Sequence, residues 1–214
     1  MTAHFADRKD AGMRLAKALA RYDSDDAVVY ALPRGGVMVA AEVARQLEAP
    51  LSLVVARKVG HPDNPEFAVC AVTADGDPVC DEDEAASIDP AWLAREILRE
   101  RAEARRRAQV YDEARLSATG RVAIIVDDGI ATGLTMRAAV RALRPELPSE
   151  IIVSAPVAPR EVVEYLSRDA DDVVVLDDSE PFLGAIGAYY DSFPQATDAQ
   201  VIAALRAARE RATR

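Results

Sequence analysis

The chain is poor in several residue types that would otherwise define its chemistry. Two cysteines (Cys70, Cys80) and two histidines (His4, His61) among 214 residues are too few for a zinc finger or a disulfide framework. The one asparagine, Asn64, is followed by Pro65, so there is no glycosylation sequon. No apolar run approaches bilayer length; the stretch 122–126 is typical of the longest, against the roughly 20 residues a spanning helix needs. The first ten residues hold no apolar leader segment, so no secretory signal is expected and the cytoplasm is the default compartment. Lysine is scarce: only Lys9, Lys17 and Lys58 interrupt an otherwise arginine-based set. High genomic GC accounts for that most simply, adaptation to high salt less so. Positive charge is also in deficit, 26 Lys and Arg against 36 Asp and Glu, for a net charge of −10. Such a chain is badly suited to electrostatic capture of nucleic acid or anionic membrane, and neither is expected as a partner.

What remains is an ordinary globular mixture, 50% hydrophobic and 29% charged, of a size that suits one domain. Apolar residues recur with helical spacing over 7–21, 37–47, 135–143, 160–167 and 198–213, and a long charged helix is expected over 90–113 with Asp89 as cap and Pro90 at its first position. Continuous apolar runs at 27–32, 51–56, 67–73, 121–126, 151–156 and 172–176 read as strands. The residues 75–78 are turn-forming, with a short return at 79–80, and acidic 81–87 reads as a loop. Strands that are apolar throughout and alternate with helices predict a mostly parallel sheet covered on both faces. Ligands of such folds sit beyond the carboxyl ends of the strands.

Three segments at predicted strand ends carry candidate chemistry. In Asp127-Asp128-Gly129-Ile130-Ala131-Thr132-Gly133-Leu134-Thr135, two carboxylates close a buried strand and a glycine-containing loop opens a helix. Helix N-terminal N–H groups suit a phosphate, and adjacent carboxylates suit hydroxyls or a hydrated Mg2+. The bland alternative is a capping threonine beside a polar strand end. The second segment, Arg34-Gly35-Gly36, reads as an anion nest or as ordinary turn chemistry. The third, Arg57-Lys58, reads as a basic turn facing either an anion or solvent. Cys70 and Cys80 can face each other across the 75–78 turn; in a reducing compartment both are expected to be small buried hydrophobes.

The 122–135 segment resembles the signature of the type I phosphoribosyltransferases, and the resemblance extends over about 27–176. It implies a three-layer α/β/α fold with a mainly parallel sheet whose third strand is antiparallel, a core over about 27–177, and a hood made from about 1–25 and 181–214. It implies transfer of the phosphoribosyl group of 5-phosphoribosyl 1-pyrophosphate (PRPP) to a nitrogen nucleophile such as a nucleobase, with Mg2+ as cofactor carried on PRPP and near Asp127 and Asp128. Asp127 and Asp128 would hold the ribose hydroxyls; Ala131, Thr132, Gly133, Leu134 and Thr135 the 5′-phosphate; Arg34, Gly35, Gly36, Arg57 and Lys58 the pyrophosphate. Leu134 departs from the glycine or lysine common at its position. An arginine of the long helix, Arg101 or Arg105, would close on pyrophosphate, and Glu66 is a candidate base or orienting group. Phe182, Tyr189, Tyr190 and Asp191 either read a base or pack the last helix onto the core. A homodimer is the expected assembly. A non-catalytic PRPP or nucleotide sensor, and a ribose-phosphate hydrolase or phosphorylase, are the alternatives. Asp128→Asn is expected to lower turnover with little change in melting temperature.

Overall fold

The computed structural model describes residues 4–22, 26–111, 115–178 and 180–212, the side chains of Glu66 and Ala212 excepted. Its centre is a five-stranded, all-parallel sheet in the order β2-β1-β6-β7-β8. These strands are β1 (Ala27–Ala31), β2 (Leu51–Leu53), β6 (Val122–Val126), β7 (Glu150–Val157) and β8 (Asp172–Asp177). Successive side chains of a strand point to opposite faces, and both faces of β1 and β6 are apolar because both are covered. Ala27, Val29 and Ala31 join Ile124 and Val126 in one core. Val28 and Tyr30 join Ala123 and Ile125 in the other. In-register pairing, Val29 opposite Ile124 and Ala31 opposite Val126, brings the ends of β1 and β6 side by side.

The first face is covered by α1 (Arg8–Ala18), α2 (Gly35–Gln46) and α7 (Asp198–Ala212), through Leu15, Val39, Val43, Val201 and Leu205. The second is covered by α5 (Leu134–Leu143) and α6 (Arg160–Leu166), through Met136, Val140, Leu143 and Leu166. The mainly parallel three-layer architecture expected from the sequence is therefore the one observed. No helix among the described residues is long and apolar enough to cross a membrane.

Four local expectations need correction. The antiparallel strand does not belong to the main sheet: β3 (Ala56–His61), β4 (Asn64–Thr73) and β5 (Val79–Cys80) form a separate three-stranded sheet. One of its faces packs on α4 (Pro90–Val110), Val59 and Val72 against Trp92, Leu93 and Ile97. The other packs Ala68, Ala71 and Val79 on Leu134 and Ala138 of α5, so α5 is held between two sheets. Arg57 and Lys58 accordingly lie within β3, opposite Val72 and Ala71, and not in a turn. Acidic 81–87 is not a loop but holds α3 (Glu82–Ala86), because Asp81 accepts from the backbone N–H groups of Asp83 and Glu84 and three acids sit in its first turn. Finally, Cys70 and Cys80 are bonded as a disulfide rather than standing as separate hydrophobes. They are directly opposed across the β4–β5 ladder, where side chains of one face meet.

Candidate functional site

The site is built where β6 ends. The Asp127 N–H donates to the Ser154 carbonyl at 3.2 Å, extending the strand pairing by one residue. The Asp128 N–H then donates to Asp127 Oδ1 at 2.8 Å and the chain turns away from the sheet. Buried Ile130 pins the loop to β7, its N–H donating to the Val157 carbonyl at 2.9 Å. The loop ends at Gly133, whose φ of 79° lies in the left-handed region, and α5 begins at once. Ala131 and Thr132 are exposed, Thr135 is half-buried, and Gly133 and Leu134 are buried. The free N–H groups of the first turn of α5 thus open beside two reachable threonine hydroxyls, an arrangement that suits a phosphate. Alanine at Gly133 would meet two obstacles, the left-handed backbone and Val162 Cγ1 at 3.0 Å from its Cβ. Gly133→Ala is expected to cost about 1–2 kcal/mol and lower the melting temperature by several degrees, measurable by thermal unfolding.

The loop after β1 meets the same strand end. The Leu32 N–H donates to the Val126 carbonyl at 3.0 Å, and the chain passes through a cis Pro33–Arg34 peptide into α2. A Cβ on Gly35 would lie 1.9 Å from Asp128 Oδ2; one on Gly36 would lie 2.8 Å from Asp127 Oδ1 and 2.9 Å from the Val126 carbonyl oxygen. The two glycines are therefore what lets the acid pair rest directly on the second candidate loop. Arg34 extends from this loop toward Asp198 at the start of α7, 3.8 Å away, and the Tyr111 hydroxyl donates to the same carboxylate at 2.9 Å.

The acids differ in surroundings. Burial, with Asp128 as neighbour, pushes the Asp127 carboxyl well above the usual carboxylate range. Asp128 is paired with Arg8, Nε to Oδ2 at 2.7 Å. The sequence reading missed Arg8, although a signal for it exists. It stands three, four and seven residues before Ala11, Gly12 and Leu15, which line the buried face of α1, so it occupies a core-facing phase.

The other expected residues are placed as follows. Arg57 donates to Glu100 of α4 at 2.8 Å. Arg101 donates to the Gly76 carbonyl and Arg105 to the Ala74 carbonyl, so both hold the turn between β4 and β5 rather than standing over the acid pair. The side chain of Glu66 lies outside the described residues. Tyr189 and Tyr190 are buried. Tyr190 stacks obliquely on Phe5 and Phe193, and its hydroxyl donates to the Asp128 carbonyl at 2.6 Å; burial raises its phenol pKa. Phe182 stacks on Tyr189, and Asp191 is exposed and paired with His4. In this arrangement the two tyrosines pack the 181–194 segment onto the acid loop. The same close packing recurs at Gly129, where Ile186 Cγ2 lies 2.3 Å from the position a Cβ would take.

A three-layer α/β/α fold with a paired-acid strand end, a glycine-ended loop opening a helix and a second glycine loop against the acids defines the structural class of the protein. The particular family follows from comparison: residues 4–192 match the phosphoribosyl transferase domain model, and the chain belongs to that family. Two proteins from different strains of Mycobacterium tuberculosis, provisionally named phosphoribosyl transferases, are 40% identical over 205 residues. The match covers 94% of this chain but 46% of each relative, so the chain spans about half their length. Among solved structures, TT1426 of Thermus thermophilus is 44% identical with a TM-score of 0.79, covering 94% of this chain and 97% of that one.

Proposed function

We propose that the protein binds PRPP and transfers its phosphoribosyl group to a nitrogen nucleophile, releasing pyrophosphate. The observation that carries this reading is the direct stacking of Gly35 and Gly36 on Asp128 and Asp127, which brings a second anion loop against the acid pair beside the phosphate loop. One substrate with a monophosphate at one end, a diol between, and a diphosphate at the other matches that order.

The 5′-phosphate would sit on the N–H groups of 131–135 and the hydroxyls of Thr132 and Thr135. Asp127 and Asp128 would engage the ribose 2′- and 3′-hydroxyls. Gly35 and Gly36 would present backbone N–H groups to the diphosphate, with Arg34 and Lys58 as its cations; Arg57 would first have to leave Glu100. In the reaction the C1–O bond to pyrophosphate breaks, the nitrogen forms the new bond to C1, and the departing oxygen takes the electron pair. Holding the ribose rigid and neutralising the leaving group are the chain's contributions.

Mg2+ fits this donor set in a limited way. Two adjacent carboxylates are hard oxygen ligands of the kind Mg2+ takes once or twice beside substrate phosphates and water, whereas no group of three candidate ligands exists among the described residues. Asp127 and Asp128 would hold an ion that arrives on PRPP, and it would supply charge neutralisation to the leaving diphosphate.

A sensor that binds PRPP without turnover is the second reading. It is favoured by one observation: Tyr189 and Tyr190, two of the four candidate base readers, are packed away. Calorimetric titration with PRPP, with and without Mg2+, followed by pyrophosphate release across a panel of nucleobases, tests both. Binding that needs Mg2+ and is weakened but still measurable in Asp128→Asn, with pyrophosphate released in the presence of one base, is the outcome expected of the transferase. Binding without release favours the sensor, and absence of binding sinks both. Because Asp128 is ion-paired to Arg8 across partly buried ground, Asp128→Asn should also lower the melting temperature, unlike the sequence-based expectation.

A further inference from the structure

Arg8 is a largely buried cation at the start of α1. Its side chain is only 11% exposed although it opens a surface helix. Its Nε donates to Asp128 Oδ2 at 2.7 Å. Its Nη1 donates to the Pro194 carbonyl at 2.7 Å, and the guanidinium carbon lies 3.7 Å from the centre of the Phe193 ring. One side chain thus ties three separate pieces of the chain together: α1, the loop after β6, and the segment 181–194. The start of α1 is itself fixed, since the Asp7 side chain accepts from the Asp10 N–H at 2.8 Å and the Phe5 N–H donates to the Tyr189 carbonyl at 2.9 Å.

We propose that Arg8 is a positioning residue of the sugar subsite, holding the Asp128 carboxylate by Oδ2 so that Oδ1 is presented to a ribose hydroxyl. This rests on the PRPP reading. A carboxylate at the end of a strand has several rotamers, and a substrate that must select one loses affinity. Asp128 is restrained on two sides before any ligand arrives. Gly35 leaves room for Oδ2 and for nothing larger, and Arg8 supplies a short charge-assisted hydrogen bond to the same oxygen. The contact to Pro194 makes the same guanidinium a clasp, so that placing Asp128 and closing the 181–194 segment on the acid loop are one event. The functional pair is then an α1 arginine and an aspartate of the loop after β6, 120 residues apart in the chain.

The test is a double-mutant cycle in PRPP affinity, measured by calorimetry in the presence of Mg2+ on the wild type, Arg8→Gln, Asp128→Asn and the double variant, with melting temperatures for all four. If Arg8 acts through Asp128, Arg8→Gln weakens PRPP binding by about tenfold and has almost no further effect once Asp128 is Asn, because contacting residues are non-additive. Arg8→Lys, which keeps the charge and loses the Pro194 contact, recovers part of the affinity. Additive losses in affinity, or an Arg8→Gln protein that binds as the wild type does, overturn the proposal while leaving the PRPP reading intact. A wild type that does not bind PRPP overturns the PRPP reading, and this inference with it. Should Arg8→Gln fail to fold, the cycle with Arg8→Lys decides on the same criterion of non-additivity.

Discussion

Gly35→Ala is expected to damage both stability and PRPP binding. The added Cβ would stand 1.9 Å from Asp128 Oδ2 and 2.6 Å from Asp128 Cγ, far inside contact distance. The tip of an aspartate can normally swing aside, but this oxygen is held by Arg8 Nε at 2.7 Å. Two escapes remain. The carboxylate rotates and abandons Arg8, leaving a guanidinium that is only 11% exposed without its charge partner; breaking an ion pair that is partly buried costs about 2–4 kcal/mol once water access is allowed for. Alternatively the 33–36 loop retreats, and the Leu32 N–H loses the Val126 carbonyl. Either way the close seating of the Asp128 carboxylate on the 33–36 loop is lost. The expected result is a fall of about 5–10 °C in melting temperature and a loss of PRPP affinity of a hundredfold or more. The Asp128→Ala background removes the obstacle, so adding Gly35→Ala there should cost little further stability. An alanine variant that melts and binds as the wild type does would show that the close approach of Gly35 to Asp128 is not used.

The contrast between what the sequence revealed and what it concealed is physical. β1, β6 and β7 were legible because a strand covered on both faces must be apolar at every position, as in the Ala27–Ala31 and Val122–Val126 runs. The acid pair and the glycine-ended loop after it were legible as a candidate site because their pattern is local: strand end, turn and helix start follow one another within nine residues of chain. β3 was hidden for the opposite reason. It follows the three-residue β2 almost at once and buries one of its six residues, Val59, so Arg57-Lys58 resembles a basic turn. The ion pair of Arg57 with Glu100 depends on the path of α4, which no local pattern encodes. The Cys70–Cys80 bond follows from strand register; the sequence places the two cysteines across the 75–78 turn, but the expected reducing compartment argued against a bond. Arg8 was concealed by convention, since an arginine in the first turn of an exposed helix is ordinarily solvated, and only its phase with Ala11 and Leu15 marks it as inward-facing. The aromatic segment left two outcomes open, and burial of Tyr189 and Tyr190 favours packing for those two residues.

Asp127→Asn is expected to separate stability from function. The Asp127 carboxyl is desolvated, faces the charge of Asp128, and has its pKa pushed well above the usual range, with the Asp128 N–H hydrogen bond and then Arg8 only partly offsetting this. A carboxyl whose folded-state pKa is raised favours folding where it is protonated in the native state. That contribution is fully present below the unfolded-state value near 3.8 and is lost as pH rises through the folded-state value. At neutral pH the native protein therefore carries an acid that it would rather keep neutral. Asparagine is neutral at every pH and retains an oxygen to accept from the Asp128 N–H, the contact now made at 2.8 Å. Asp127→Asn should stabilise the protein at pH 7 by about 0.5–2 kcal/mol, or a few degrees in melting temperature. The gain should vanish as pH falls below about 4. Under the proposed function the same change removes an acceptor for a ribose hydroxyl, so pyrophosphate release should fall by on the order of 10²–10³. Thermal melts from pH 4 to pH 8 beside turnover assays check both halves. A variant less stable than the wild type at pH 7 would mean that Asp127 is ionised and satisfied in the native state, and that the strain at this strand end lies elsewhere.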